Sequence, residues 1–274
     1  MTALFAKTIL SIPSYSRREH FFIQLIKRWC SLERIEVKQD AKGNLYLTKG
    51  CSSLYPCLCS HLDTVHRKHV PYIDSLKFLP VKFGYDNDRL YIDGMGIGAD
   101  CKCGVAICLS VMKNSRKPCK CVLFVEEEIG MRGSRELDAS FFDDVSYVLS
   151  WDSPGGNRAT RTSSGVLMFT DEFFDVFKDI YARAGITSWR DEPYTDIVQI
   201  ARKCGIQCIN CANGGSMMAH TDIEDASLRD MNRGEKLCLE AISKIPYSHR
   251  WTLSATQPRI GRNPDYYASL VIPS

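Results

Sequence analysis

The sequence predicts an α/β fold: a mainly parallel mixed sheet with helices on both faces, in three layers. Three observations predict it. Strand-like apolar runs alternate with runs of helical period up to about residue 245, the pattern of a sheet whose crossovers are helices. Some strand-like runs are apolar throughout, as in Cys121-Val-Leu-Phe-Val125, as a strand buried on both faces must be. Each of five acidic or histidine residues follows such a run, where the carboxyl ends of parallel strands gather on one edge.

Residues 3–12 form a short apolar-periodic run ended by Pro13. Ser16-Arg-Arg-Glu19 reads as a capping box, opening a helix with Phe21, Phe22, Leu25, Ile26 and Trp29 on its apolar face. Strands are expected at 34–38 and 45–48, joined by the turn-rich Asp40-Ala-Lys-Gly-Asn. The run from Tyr55 leads into His61 and Asp63, and 66–80 is loop-like. A hairpin at 81–92 turns at Asp86-Asn-Asp, and a helix follows Asp100 to about 113. The strand at Cys121–Val125 runs into Glu126-Glu-Glu-Ile-Gly130. A short helix near 134–142 precedes the strand Val145–Trp151, which ends at Asp152. Residues 158–170 are extended, and Asp171 is expected to cap a helix at 172–184. Thr195 or Asp196 opens a helix to Lys203 closed by Gly205. A strand at 206–211 leads through Gly214-Gly215 to His220, and a helix at 226–244 stops before Pro246. This gives one domain at 1–245 and a tail at 246–274 with no clear period.

Composition narrows the function. The chain has 274 residues, 45% apolar and 24% charged, which suits a globular protein with a sizeable core. A formal charge of +3 argues against nucleic acid or an anionic membrane as partner. The basic clusters at Arg67-Lys-His and Arg116-Lys-Pro-Cys-Lys read as solvated loops. No apolar run reaches a membrane span, and the first residues make no secretory signal. Thirteen cysteines is an odd number, and many fall in apolar runs. A cytoplasmic protein with free thiols is the expectation.

His61, Asp100, Glu128, Asp152 and His220 form the constellation that carries chemistry. Two imidazoles and three carboxylates suit two zinc ions, or manganese or cobalt, better than calcium. Two neighbouring cations need a shared anionic ligand, and one carboxylate has an oxygen for each. Asp63 is placed to hold the second ring nitrogen of His61, and Glu127 to take a proton from the attacking water. Each piece alone has a plainer reading: a surface His-x-Asp pair, a solvated acidic loop, a turn aspartate, a lone histidine. Gly94-x-Gly96-x-x-Ala99 before a helix also mimics a dinucleotide fingerprint, which should follow the first strand of a βαβ unit with an acid ~20 residues on; the glutamates at 126–128 come near that distance, so this is a minor alternative.

Ser60-His-Leu-Asp-Thr-Val, Gly98-Ala-Asp-Cys-Lys-Cys-Gly, Glu126-Glu-Glu-Ile-Gly, Asp152 and His220 resemble the motifs of the co-catalytic dinuclear zinc exopeptidases. That clan includes peptidase T, glutamate carboxypeptidase, acetylornithine deacetylase and the zinc aminopeptidases. Ile9-Leu-Ser-Ile-Pro-Ser-Tyr-Ser and Gly43-Asn-Leu-Tyr are similar to its first helix and strand, so the resemblance covers about 3–245. It implies that His61 and Asp152 bind one metal, Glu128 and His220 the other, and that Asp100 bridges. Asp63 then supports His61, and Glu127 is the general base. Two departures stand out. Cys101 takes the place of an aspartate that commonly follows the bridging one, usually across a cis peptide bond. Only 67 residues (153–219) separate Asp152 from His220, and 38 (62–99) separate His61 from Asp100, too few for the usual lid or dimerisation domain.

The resemblance therefore implies a single-domain metallopeptidase that cleaves amide bonds of small peptides, most simply an aminopeptidase. The alternatives are an N-acyl amino acid deacylase on the same site and a binding protein on a decayed hydrolase fold. Without a lid, a monomer is expected, or an oligomer formed through surfaces such as the tail, with Trp251, Tyr266 and Tyr267.

Overall fold

Runs of Val, Leu, Phe, Cys and Tyr with no charge to expose settle in the middle of a sheet, and the flanking amphipathic runs cover it. The computed structural model describes residues 1–65, 78–155, 157–186, 188–192, 194–245 and 247–253. The elements begin with α1 (Ala3–Leu10), α2 (His20–Glu33), β1 (Glu36–Gln39), β2 (Leu45–Lys49) and β3 (Tyr55–His61). Next come β4 (Lys82–Phe83), β5 (Arg89–Tyr91), α3 (Ala99–Asn114), β6 (Cys119–Phe124) and α4 (Arg132–Arg135). A 3-10 turn at Ala139–Phe142 leads to β7 (Val145–Ser153), β8 (Arg158–Ser163), β9 (Val166–Leu167) and α5 (Asp171–Arg183). The chain continues with β10 (Ser188–Glu192), α6 (Ile197–Cys204), β11 (Cys208–Ala212), β12 (Ala226–Ser227) and α7 (Leu228–Lys244).

Eight strands of the main sheet run in the order β1-β2-β6-β3-β7-β11-β8-β10, and β9 pairs with β8. Its centre, β6-β3-β7-β11, is parallel throughout. Antiparallel strands flank it, β2 on β6 and β8 on β11, so the sheet is mixed. β12, β5 and β4 form a small second sheet. Helix α3 lies across β3, β6 and β7 and carries α7 and α1 on its outer side. Its seat is close: a Cβ on Gly104 would fall 2.1 Å from the Trp151 carbonyl oxygen. The other face is covered by α6, which packs on β11 and α4. Side chains of β3 alternate between these layers. Ser60 reaches Cys101 on α3, while Cys59 feels Asp196 at the head of α6.

Several local expectations are corrected, each by a tertiary partner. The capping box does not form. Glu19 sits at the N-cap of α2 with no side-chain cap bond. Ser16 Oγ instead donates to Asp63 Oδ2 at 2.7 Å, and Glu19 accepts the Glu126 N–H at 3.1 Å. Thr170, not Asp171, caps α5, its hydroxyl accepting from Phe173 N. The helix expected near 134–142 is two pieces, because Asp138 breaks it and caps the 3-10 turn. Arg34 is left-handed at the end of α2, so the first strand starts only at Glu36. Ala226 and Ser227 pair with β5, and Ser227 caps α7. β10, with no apolar alternation to signal it, is held by parallel pairing to β8. The hairpin at 81–92 forms as expected.

Beyond α7, the Trp251 N–H donates to the Ser146 carbonyl, and the indole packs 5.2 Å from the Phe173 ring. The start of the tail is thus seated on the domain. Tyr266, Tyr267, Arg67 and most of the 66–80 loop lie outside the described residues. All thirteen cysteines are free, and eleven of them are buried. Among the described residues no helix is long and apolar enough to cross a membrane.

Candidate metal centre

The seven residues singled out from sequence converge at the carboxyl edge of the parallel strands. His61 is the last residue of β3 and is 1% exposed. Its Nδ1 lies 3.0 Å from the Asp63 carbonyl oxygen and 3.4 Å from Asp63 Oδ1. Its Nε2 lies 3.0 Å from Asp152 Oδ1 and 3.3 Å from Asp100 Oδ1. The other Asp100 oxygen, Oδ2, lies 3.3 Å from His220 Nε2, which is 2.9 Å from Glu128 Oε1. Asp100 thus joins two histidine–carboxylate pairs, one through each oxygen.

Local structure explains the placement. Asp100 and Cys101 enter α3 with non-helical dihedrals and are joined by a cis peptide bond. Cys101 turns away from solvent: its thiol donates to the Trp151 carbonyl at 2.6 Å and receives the Ser60 hydroxyl at 3.1 Å. Past β6, Glu126 adopts a positive φ of 55°, and the chain turns. Glu127 and Glu128 both then face the cavity, which an extended pair cannot do. Asp63 organises that turn, accepting Glu127 N–H at 2.9 Å and Glu128 N–H at 3.1 Å, besides the Ser16 hydroxyl. Asp152 is aimed by Asn210, whose Oδ1 accepts its N–H at 2.9 Å.

The electrostatics are those of crowded anions around two rings. Burial alone would push the His61 pKa down, but Asp152, Cys101 and Asp100 outweigh it and hold the ring well above its ordinary value. Hydrogen bonds that the ring donates to Asp100 and Glu128 raise His220 to about 10 against burial. Burial raises Glu128 to about 7 and pushes Glu127 well above the carboxylate range. Asp63 and Asp100 go the other way: burial opposes their ionisation, but the histidines, and for Asp63 also Ser16 and the Glu127 N–H, hold both low.

The donor set fits divalent cations. Donor atoms of His61, Asp100, Cys101 and Asp152 all lie within 4.8 Å of one another, as do those of Asp100, Glu128 and His220, and of His61, Glu127 and Glu128. Asp100 Oδ1 is buried and accepts no hydrogen bond, a cost that a cation between these residues removes.

Sequence reasoning missed three supports. Glu224, buried in the loop after His220, accepts the N–H of Gly98 at 2.7 Å and of Asp100 at 3.1 Å. It ties the two metal-side loops together, and burial raises its pKa to about 7. Asp196 at the start of α6 is buried and bonded to the Ser134 hydroxyl. Burial raises it to about 8. Asn210, on β11, had no signal in sequence at all.

No family model matches the chain. The cytosol non-specific dipeptidase of Escherichia coli K12 is 27% identical over 175 residues, 61% of this chain but only 36% of the dipeptidase's own length. Among solved structures, the aminopeptidase PepT of Bacillus cereus superposes with a TM-score of 0.71 at 15% identity, covering 86% of this chain and 96% of PepT. The aminoacylhistidine dipeptidase of Vibrio alginolyticus shares 25% identity and a TM-score of 0.50, covering 58% of this chain and 34% of its own. Over part of its length the chain is thus similar in sequence to these dipeptidases, and in fold it is similar to PepT. The PepT superposition bears out the α/β fold read from the sequence.

Proposed function

We propose that the chain is a metallopeptidase that cleaves amide bonds of small peptides, most simply as an aminopeptidase, with two divalent metal ions. Zinc is the first choice, with manganese or cobalt as substitutes. The observation that carries this reading is the position of Asp100, whose two oxygens each lie 3.3 Å from a different histidine. His61 and Asp152 would hold one ion and Glu128 and His220 the other, with Asp100 between them. Bound there, the pair supplies the Lewis acidity that polarises a carbonyl and acidifies water.

The chain's own residues do the rest. The Asp63 carbonyl and carboxylate accept from His61 Nδ1 and so leave the Nε2 lone pair facing Asp100 and Asp152. Glu127 receives the proton of the attacking water. Burial raises its pKa well above the carboxylate range, which strengthens it as a base and lets it return the proton to the leaving amine. Large apolar side chains are exposed close in sequence to these residues: Ile129 follows Glu128, and Met217, Met218 and Ile223 lie within three positions of His220. They offer an apolar surface to a substrate side chain near the scissile bond.

Elemental analysis with a substrate panel tests this. About two equivalents of zinc and hydrolysis of aminoacyl anilides are expected. Protein purified without any transition metal that also takes up none would overturn the reading. Turnover of N-acyl amino acids alone would move it to the deacylase.

A further inference from the structure

The last turn of α5 and one face of α7 frame a surface pocket of about 480 Å³, and none of the candidate metal ligands lines it. Buried Ile180 and Leu237 give it an apolar side. The rest is cationic: Arg183 comes from α5, and Arg229, Arg233 and Lys236 come from α7. Glu240 is the one carboxylate in its lining.

The protein's own anions do not balance these cations. Glu240 Oε1 meets Arg183 at 2.6 Å but also takes Lys244 at 2.7 Å. Arg233 has Asp230 at 3.0 Å, and Arg229 reaches Asp88 only at 3.6 Å. The side chains of Lys236 and half-buried Asn232 line the pocket with no ion pair or hydrogen bond among the described residues. Counting every partner, five cations (Arg183, Arg229, Arg233, Lys236, Lys244) stand against three carboxylates (Asp88, Asp230, Glu240), a surplus of two. Pairs at an exposed surface hold their members weakly, so the guanidinium groups can turn to a ligand. The helix itself gains nothing from the arrangement. Arg229, Arg233 and Lys236 follow one another at i, i+4 and i+7, a spacing at which like charges destabilise a helix. Arg229 also stands in the first turn, at the positive end of the helix dipole.

We infer that the pocket between α5 and α7 binds a small molecule that carries a phosphate group. The inference is independent of the amide-hydrolase reading. A phosphate group brings up to about two negative charges at neutral pH, which match the surplus of two. Guanidinium forks meet phosphate oxygens in bidentate geometry, and Lys236 adds a point charge. Ile180 and Leu237 offer the organic part of the molecule an apolar wall. The volume lies in the range of small-molecule pockets. A nucleic acid would need a basic stripe along the surface, whereas these cations surround one hollow.

Calorimetry with zinc-loaded full-length protein at low ionic strength tests this, using AMP and inorganic phosphate as probes and adenosine as the uncharged control. AMP should fill a saturable site, inorganic phosphate should compete for it, and adenosine should not bind. Arg233→Gln and Lys236→Gln should each weaken AMP by about 10- to 100-fold, the range of one hydrogen bond to a charged group, and the double variant should abolish binding. Lys178→Gln, on the exposed side of α5 and outside the pocket, should leave the affinity within about twofold. Circular dichroism checks that each variant is folded. Failure of both AMP and inorganic phosphate to bind wild type overturns the inference. So does AMP binding that survives in the folded double variant, which would place the phosphate at the metal centre instead. A glutamate-rich peptide that binds more tightly than AMP, and is lost in the same variants, would overturn the phosphate class and make the pocket a dock for acidic protein segments.

Discussion

Glu127 and Glu128 are chemically alike and adjacent, yet the turn at Glu126 gives them different surroundings. Glu128 Oε1 meets His220 Nε2 at 2.9 Å and shares a donor group with His220 and Asp100. The Glu127 backbone N–H is held by Asp63, and burial sets the protonation of its carboxyl. Glu128→Ala should therefore lose about one metal equivalent together with activity. Glu127→Gln should keep both metals and the fold but lose 10²–10⁴-fold in rate, roughly 3–5 kcal/mol of barrier. Metal content beside kcat separates the two. The reverse pattern would exchange the roles, and full activity in both variants would sink the mechanism. At this scale the sequence was informative for the residues with metal-binding chemistry: His61, Asp100, Glu127, Glu128, Asp152 and His220 fall in three overlapping donor groups, and Asp63 lies against His61. It gave Glu19 and Asp196 only helix-capping roles and was silent on Asn210, because their observed roles come from residues far along the chain and leave no local pattern. Glu224 had one faint signal, its place four residues after His220.

At the scale of elements, the seat of α3 on the sheet matters most, because its first turn carries Asp100. Gly104 lets that helix approach β7 and β3. An added Cβ would lie 2.1 Å from the Trp151 carbonyl oxygen, 2.5 Å from Cys101 Sγ and 2.6 Å from Ser60 Oγ. A backbone oxygen cannot move aside as a flexible side-chain tip can. Gly104→Ala should then cost about 2–4 kcal/mol through overpacking, despite the better helix propensity of alanine. A thermal melt reads the loss, and zinc titration should show weaker binding because the Asp100–Cys101 entry is displaced. An unchanged melting temperature would mean the seat is looser than this contact implies. The central strands and α3 were readable from sequence because burial on two faces forces long apolar runs. Helix starts were read less well. Ser16, Glu19 and Asp171 have good capping chemistry, but Asp63, Glu126 and Thr170 give the competing or better partners.

For the whole molecule, the buried titratable groups in and around the candidate metal centre make stability depend on pH in a direction that can be worked out. Burial raises Glu19, Glu128 and Glu224 to about 7 and Asp196 to about 8. His220 stands at about 10. A group whose folded pKa lies above its unfolded value contributes stability below the unfolded value and loses it as pH rises through the folded one. For the glutamates that window runs from 4.5 to about 7, for Asp196 from 3.8 to about 8, and for His220 from 6.5 to about 10. Asp63 and Asp100 have lowered values and act only in acid, below this range. Buried Lys102, lowered to about 7, acts the other way above that value, but the four carboxyls and His220 outnumber it, so metal-free protein loses stability from pH 6 to pH 8.5. A tenfold difference in proton affinity between the folded and unfolded chain is worth ~1.4 kcal/mol, so even a heavily discounted sum leaves about 2 kcal/mol, or roughly 5 °C of melting temperature. Metal ions take the place of these protons, and their ligands must be deprotonated to bind them. Zinc added to chelator-treated protein should therefore raise the melting temperature more at pH 8.5 than at pH 6. A chelated protein that grows more stable across that interval, or a zinc effect larger at pH 6, would show that these carboxyls are not held protonated by burial and that the cavity is not waiting for a cation.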